Sequence, residues 1–511
     1  MRFLSLLPVL FLLSCAQVSG PSEERLGVVQ LDISGTDEAK AAFKKGLLLL
    51  HNFEYADARE QFQQARELDP SCSMAYWGEA MTWHHTLWSQ QNTEEARVVL
   101  DALNQDPQGR VDAANTALEK DFLSAANILF GEGDKVNRDQ MYSDFMAGMY
   151  QRYPENHEVA AFYALSLMGA VPMGRDDEKY GRGADIAQQI LEANPKHPGA
   201  LHYLIHAYDD PYHAHKALWA AGEYSVVAAD ASHALHMPSH IFIAMGMWDE
   251  VISTNEAAYR ASVERMQRKG LENDARSYHS LLWLQYGYLQ RGEQDQALAL
   301  LKEMKHCTEE LSSKVARSHL IAMKGAFLVE TNQWEHELAD LEVNLEGMHI
   351  RSVSRYLFIE GLKAWHLGDA AALEQAIAKL ETSRSNASER LVASGVPMCS
   401  AASSYDNPPN QIDLDYTYIM ELNLRAVAAW EAGDYKAARA YLDASTSLEE
   451  EAQYSYGPPE ILKPSHELYG EFLLAIGEMA AAAEQFEIAL KRNPGRALSL
   501  RGQERASTRS L

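Results

Sequence analysis

Along most of this chain apolar residues return at steps of three and four, and almost nowhere do they alternate with polar ones. That period gathers them on one face of a helix, so the pattern predicts helices throughout and no sheet of consequence. The helices come in pairs. Over 39–72, Gly46-x-x-Leu49, Ala58-x-x-x-Phe62, Ala65 and Pro70 mark two helices and the stop after the second. Small Gly46, Ala58 and Ala65 let the pair approach closely, Phe62 fills the gap, and Pro70 ends the unit. Residues 463–496 repeat the arrangement with Gly470-x-x-Leu473, Ala482-x-x-x-Phe486, Ala489 and Pro494.

Weaker copies lie between: 198–231, placed by Pro195, then 232–265, 278–311 after a polar insertion at 266–277, 354–387 and 419–452. Three stretches break the rhythm, namely the Gly-rich charged 169–183, the long 383–411 with Pro397 and Cys399, and the rigid turn 456–459. Residues 496–511 carry an apolar stripe and then a polar tail, as expected of a helix capping an array. The 34-residue unit and its small-residue spacing resemble the tetratricopeptide repeat. That resemblance implies an all-α fold, a right-handed superhelical solenoid of about ten or eleven helical hairpins. An N-terminal array would occupy 39–277 and a C-terminal array 278–511.

The chain has 511 residues, 47% of them hydrophobic, which is ample for such an array. Its net charge of −27 argues against nucleic acid, which is bound by basic surfaces, and against broad attachment to an anionic leaflet. Arg2 precedes an apolar run, 3–13, too short to span a bilayer. The run ends in Leu12-Leu13-Ser14-Cys15, which resembles the lipobox of bacterial lipoproteins. Residues 1–20 are therefore expected to be a signal peptide and tether, with Cys15 lipidated. Ala16 after it resembles the outer-membrane sorting pattern. The expected location is the bacterial envelope, as an outer-membrane lipoprotein facing the periplasm. A plain secretory signal cut near Val18-Ser19-Gly20, giving a soluble periplasmic or secreted protein, is the alternative. Cys72, Cys307 and Cys399 are too scattered for a disulfide framework.

Histidine changes the picture most. Eight of the nineteen lie between His197 and His240, and two H-x-x-x-H pairs, His202 with His206 and His236 with His240, stand one repeat apart. Residues four apart on a helix have Cβ atoms about 5–6 Å apart, so each pair can share a ligand. Neighbouring helices pack about 8–10 Å apart, which brings the pairs within reach of each other. In the tetratricopeptide frame both pairs occupy concave-groove positions. By the same resemblance so do His233, His279, Asp209 and Asp210, and, in the unit starting at Ser73, Trp77, Met81, His84 and His85. Four imidazoles suit Zn, Cu, Fe or Ni, about one ion per chain, with Asp209 or Asp210 as a further ligand or as the group orienting a histidine. A metalloprotease carries Glu after the first histidine; Tyr203 stands there, so that reading fails. The competing explanations are a polar groove for peptide carboxylates and incidental structure. Pro238 either strains a helix or begins one, and in the second case it shifts His236 off the face.

Several blocks, among them 74–80, 197–207 and 236–242, are similar to those of a bacterial group of tetratricopeptide proteins, a resemblance that implies the fold and no particular activity. The expected function is an envelope-anchored scaffold that binds a protein or peptide in its groove. The alternative is a metal-binding protein or metalloenzyme centred on the paired histidines. No nucleophile elbow, phosphate loop or dinucleotide fingerprint is present, so whether the chain is an enzyme stays open.

Overall fold

A computed structural model describes residues 25–391, 408–452, 454 and 456–508. Cys15, Pro397 and Cys399 lie outside the described residues. The chain is an all-α solenoid: helices pair with their neighbours in sequence, from Asp37–His51 with Tyr55–Leu68 to Ser465–Ala475 with Met479–Arg492. Ala497–Thr508 closes the last hairpin as a cap. Local chemistry sets the boundaries. Thr36 accepts a hydrogen bond from the Ala39 N–H, Thr116 and Glu119 form a capping box, and Gly270 and Gly292 end helices in the left-handed region at φ 63° and 77°.

The small-residue logic holds at both ends. A Cβ added to Gly46 or Gly78 would lie 2.8 or 2.4 Å from the ring of Phe62. Gly470 and Gly502 stand at 2.7 and 2.3 Å from Phe486 in the same way. Each phenylalanine is a wedge that only glycine neighbours admit.

Three features depart from the sequence reading. Helix Ser73–Met81 stops early, and His84–His85 pairs antiparallel with Gln90–Gln91, the two strands of the described residues. His84 and His85 therefore do not continue a groove-lining helix. The interruption near 169–183 is shorter than expected, because Asp176 caps a helix beginning at Asp177. Residues 332–349 hold only a short 3-10 turn where a second helix would complete a hairpin.

The array also closes on itself. Residues 25–33 cross the first hairpin and reach the middle of the chain, where the Val28 N–H donates to the Lys196 carbonyl at 2.9 Å. Asp57 pairs with Arg265 and Lys269, more than two hundred residues on. At the far end the Trp248 indole N–H donates to the Gly495 carbonyl at 3.0 Å. Arg496, fully buried, joins Glu330, Glu467 and Tyr286 at 2.6–2.7 Å. No helix among the described residues is long and apolar enough to cross a membrane.

Candidate metal centre

Three consecutive first helices of hairpins carry the histidines. Pro198–Ala207 is buried along its whole length, starts at Pro198 and presents His202 and His206 on one face. The next is broken: Ser232–His236, then Met237, then Pro238–Ala244. Pro238 does begin a helix, but Met237 keeps helical angles (φ −54°, ψ −36°), so His236 and His240 remain on one face. Tyr278–Arg291 supplies His279.

These side chains gather as two triads rather than one quartet. His202, His206 and His233 form the first; His236, His240 and His279 form the second, with ligand nitrogens within 4.8 Å of one another in each. In the first triad the Nε2 of His202 lies 3.1 Å from that of His206 and 3.2 Å from that of His233. In the second, the Nε2 atoms of His236 and His240 are 3.1 Å apart. Nitrogens bound at about 2.0–2.1 Å to a tetrahedral ion lie about 3.3–3.4 Å from each other, close to these separations. The triads touch: the rings of His206 and His240 are 5.8 Å apart, those of His233 and His236 6.3 Å.

Hydrogen bonding fixes where the protons are. The His202 Nδ1 faces the His51 carbonyl at 2.8 Å, a group that only accepts, so that nitrogen donates. Asn255 donates its Nδ2 to the Val251 carbonyl at 2.7 Å, which turns its Oδ1 to the His236 Nδ1 at 2.7 Å. The Asp209 carboxylate meets the His240 Nδ1 at 2.5 Å. His236 and His240 thus both spend their N–H on Nδ1 and turn their unprotonated Nε2 atoms toward each other. Such a contact is repulsive unless a cation lies between them. A proton is a poor candidate, because burial, reinforced by His240, pushes His236 down to about 3. Burial also lowers His202, His206, His233 and His279, each helped by a neighbouring imidazole, so these groups are neutral and able to bind metal. The Nδ1 of His206 and both ring nitrogens of His279 are buried without a hydrogen-bond partner.

A third cluster shows the opposite bookkeeping. Glu158 bridges His51 (2.7 Å) and His197 (3.3 Å), and His51 Nδ1 meets the Tyr203 hydroxyl at 2.8 Å. His197 Nδ1 accepts from the Ala200 N–H. Burial would raise Glu158, but the two imidazoles outweigh it and hold the carboxyl below its usual range. The carboxylate faces an imidazole nitrogen on either side, so this is a strut, and it positions the His51 carbonyl that orients His202.

Aromatic rings wall the triads. Phe53, at φ 56°, lies 4.2 Å from His202, and Trp283 lies 4.8 and 4.5 Å from His236 and His240. A non-glycine residue at positive φ stores strain and is tolerated where packing demands it, here to seat a ring on the first triad. The short strand pair delivers Trp88 to 5.8 Å from His233. A cleft of about 200 Å³ remains, bounded by Phe53, Trp88, His233, His236 and His279.

The sequence-predicted residues therefore divide. His202, His206, His236 and His240 are at most 2% exposed, buried in the array rather than lining an open groove wall. His233 and His279, expected only nearby, complete the triads. Asp209 orients His240, whereas Asp210 turns to His213 and Arg175. His84 contacts Gln91 and His85 stacks on Tyr55, so neither joins a triad. Asn255, Phe53 and Trp283 were missed. Asn255 interrupts the buried stripe Val251, Ala258, Ser262, and Trp283 lies one helical turn after His279; both were visible signals.

No protein-family model and no curated protein matches the sequence. Solved structures show a loose likeness. The Cut9–Hcn1 hetero-tetramer of APC/C aligns over 93% of this chain and 77% of its own, at 11% identity and TM-score 0.37. A monomeric IFIT1 mutant with m7Gppp-AAAA covers 93% and 92%, at 14% and 0.37, and yeast Tom70 covers 92% and 96%, at 12% and 0.32. The architecture rests on the helices themselves.

Proposed function

We propose that this protein binds transition-metal ions, one in each histidine triad. The observation that carries the reading is the head-on pair of unprotonated Nε2 atoms in His236 and His240, buried and held so by Asn255 and Asp209. Metal-ligating histidines characteristically donate the other ring N–H to a carboxylate or carbonyl, which fixes the tautomer and raises basicity. All six donors are imidazole, which suits Zn, Cu, Fe or Ni over Mg or Ca. The protein would be purified without affinity nickel or chelator and its metal content measured. Two ions per chain are expected, falling to one when His236 and His240 are replaced by alanine. Metal-free protein that binds none of these ions on titration would refute the proposal.

A second reading, a protein or peptide partner on the solenoid, is supported by the repeat architecture, whose stacked units commonly bind extended chains. A polar cleft of about 450 Å³ edged by Arg25, Asp230, Arg260 and Arg268 offers a place for it. Envelope extracts passed over the lipidated protein and over an R260E/R268E variant test this; equal recovery of the same proteins counts against it. The envelope location remains part of the proposal, and the mass of the N-terminal peptide decides whether Cys15 carries lipid.

A further inference from the structure

We infer that the two triads form a single dinuclear copper(I) centre that takes dioxygen between its ions. The inference rests on the metal-binding reading above and goes further in three respects: the ion, its partner ion and the ligand.

Charge selects the ion. Neither triad contains a carboxylate; among the described residues the acids beside them are Asp209, on the outer side of His240, and Glu54, which accepts from the His233 backbone N–H at 3.0 Å. Two dications would put four positive charges beside those two acids in a site where His202, His206, His236 and His240 are at most 2% exposed. Desolvating unbalanced charge is costly, and two monovalent ions carry no more positive charge than the two carboxylates can offset. Coordination number points the same way. Three neutral nitrogens complete the coordination of a d10 monovalent copper, whereas zinc on three histidines takes a water or substrate as a fourth ligand. Neither ring nitrogen of His279 has a protein partner, so its unprotonated one is available to an ion.

Contact between the triads supplies the pairing. His206 meets His240 at 5.8 Å and His233 meets His236 at 6.3 Å, centroid to centroid, so ions seated in the triads are neighbours. Two-metal sites work at separations of about 3.5–4 Å, where one small ligand bridges both ions. Access decides the ligand. The cleft of about 200 Å³ reaches His233 of the first triad and His236 and His279 of the second, between the rings of Phe53 and Trp88 and beside Glu54 and Arg265. A small neutral molecule passes the aromatic part of this wall without losing a hydration shell. In the binding step each copper(I) gives up one electron. Dioxygen accepts both and becomes a bridging peroxide between two copper(II) ions. No proton or further reductant is consumed, and release of dioxygen returns both electrons.

The test begins with full-length metal-free protein under argon, titrated with copper(I) supplied as its acetonitrile complex. Two copper(I) per chain are expected, followed by uptake of one dioxygen per two copper on admission of air. A charge-transfer absorption should appear and reverse under argon, without the paramagnetic resonance signal of isolated copper(II). His279→Ala and His233→Ala should each bind one copper, lose the dioxygen uptake and give an isolated copper(II) signal after oxidation. Circular dichroism identifies either variant if it has failed to fold, and the other then carries the test. Two bound coppers that oxidise to two independent paramagnetic ions, or take up no dioxygen, overturn the inference and leave the metal-binding reading intact. Failure to bind copper, zinc, iron or nickel at all overturns both.

Discussion

Replacing Asp209 with asparagine tests the orientation of the second triad without touching a ligand nitrogen. The carboxylate is 1% exposed and holds the His240 Nδ1–H at 2.5 Å. An ion on the opposite nitrogen would lie about 6–7 Å from that oxygen, where unit charges attract by about 2–3 kcal/mol at an effective dielectric near 20. Outer partners of ligating histidines generally contribute about 10–100-fold in affinity, or about 1.4–2.8 kcal/mol, so the two estimates agree. Metal-free stability should respond differently. Burial raises the Asp209 carboxyl, despite the opposing effect of His240, so it ionises at a higher pH in the folded state than in the unfolded chain. Stability conferred by such a group falls as pH rises through the window above the unfolded value of about 3.9, and asparagine removes that loss. The variant should therefore bind metal about 10–100-fold more weakly by competition with a chromogenic chelator. Its metal-free melting at pH 7 should lie within about 1 kcal/mol of the parent, since a carboxylate lost is offset by an amide N–H left unpaired. Parental affinity would refute the orienting role. Weaker binding accompanied by a collapsed melting temperature would refute the separation of affinity from folding.

Other consequences can be checked separately. Because burial lowers His202, His206, His233 and His279, and takes His236 to about 3, the unfolded chain binds more protons below pH 6.5. Metal-free stability should be full above pH 6.5 and fall with acidification, by about 2 kcal/mol at pH 5 from His236 alone, as read from urea melts at the two pH values. Arg496→Ala strands Glu330 in the interior, leaves Glu467 to Lys463 and Ser499, and should cost about 3–5 kcal/mol by denaturant titration; a loss below 1 kcal/mol would contradict the buried network. Gly78→Ala places a Cβ 2.4 Å from Phe62 and should cost about 1–3 kcal/mol in thermal melts, whereas alanine at Gly222, which meets nothing within 4 Å, should leave the melt unchanged or raise it.

The repeats were readable because each is a local contract: a glycine, an alanine and a phenylalanine at fixed offsets suffice to pack two helices. Phe62 and Phe486 meet the glycines that the spacing assigned to them. The H-x-x-x-H pairs were readable for the same reason, since a four-residue step and a 34-residue step both map onto simple geometry. What escaped depends on contacts across the array. That His202 answers to the His51 carbonyl, or His236 to Asn255, follows from how hairpins curl, and no offset records it. The expected open groove also failed at this point. A regular repeat pattern implies a concave wall, but the bulk of Phe53, Trp88 and Trp283 fills it around the histidines. His84 and His85 were misplaced because a helix reading continued past Met81, where the chain turns into Gln90–Gln91 pairing.

The clasp between Trp248 and the segment 494–496 changes what kind of object a repeat protein is. A linear array can fray from either end, each unit answering only to its neighbours. Here a residue near the C-terminus anchors on the hairpin that carries His236 and His240, so loosening the tail tugs at the middle. Cooperativity replaces modularity: truncation after residue 493 should convert one sharp unfolding transition into several shallow ones. The cost is kinetic, since contacts spanning some two hundred residues or more form slowly. A ribosome must finish almost the entire chain before the clasp around the histidines can shut.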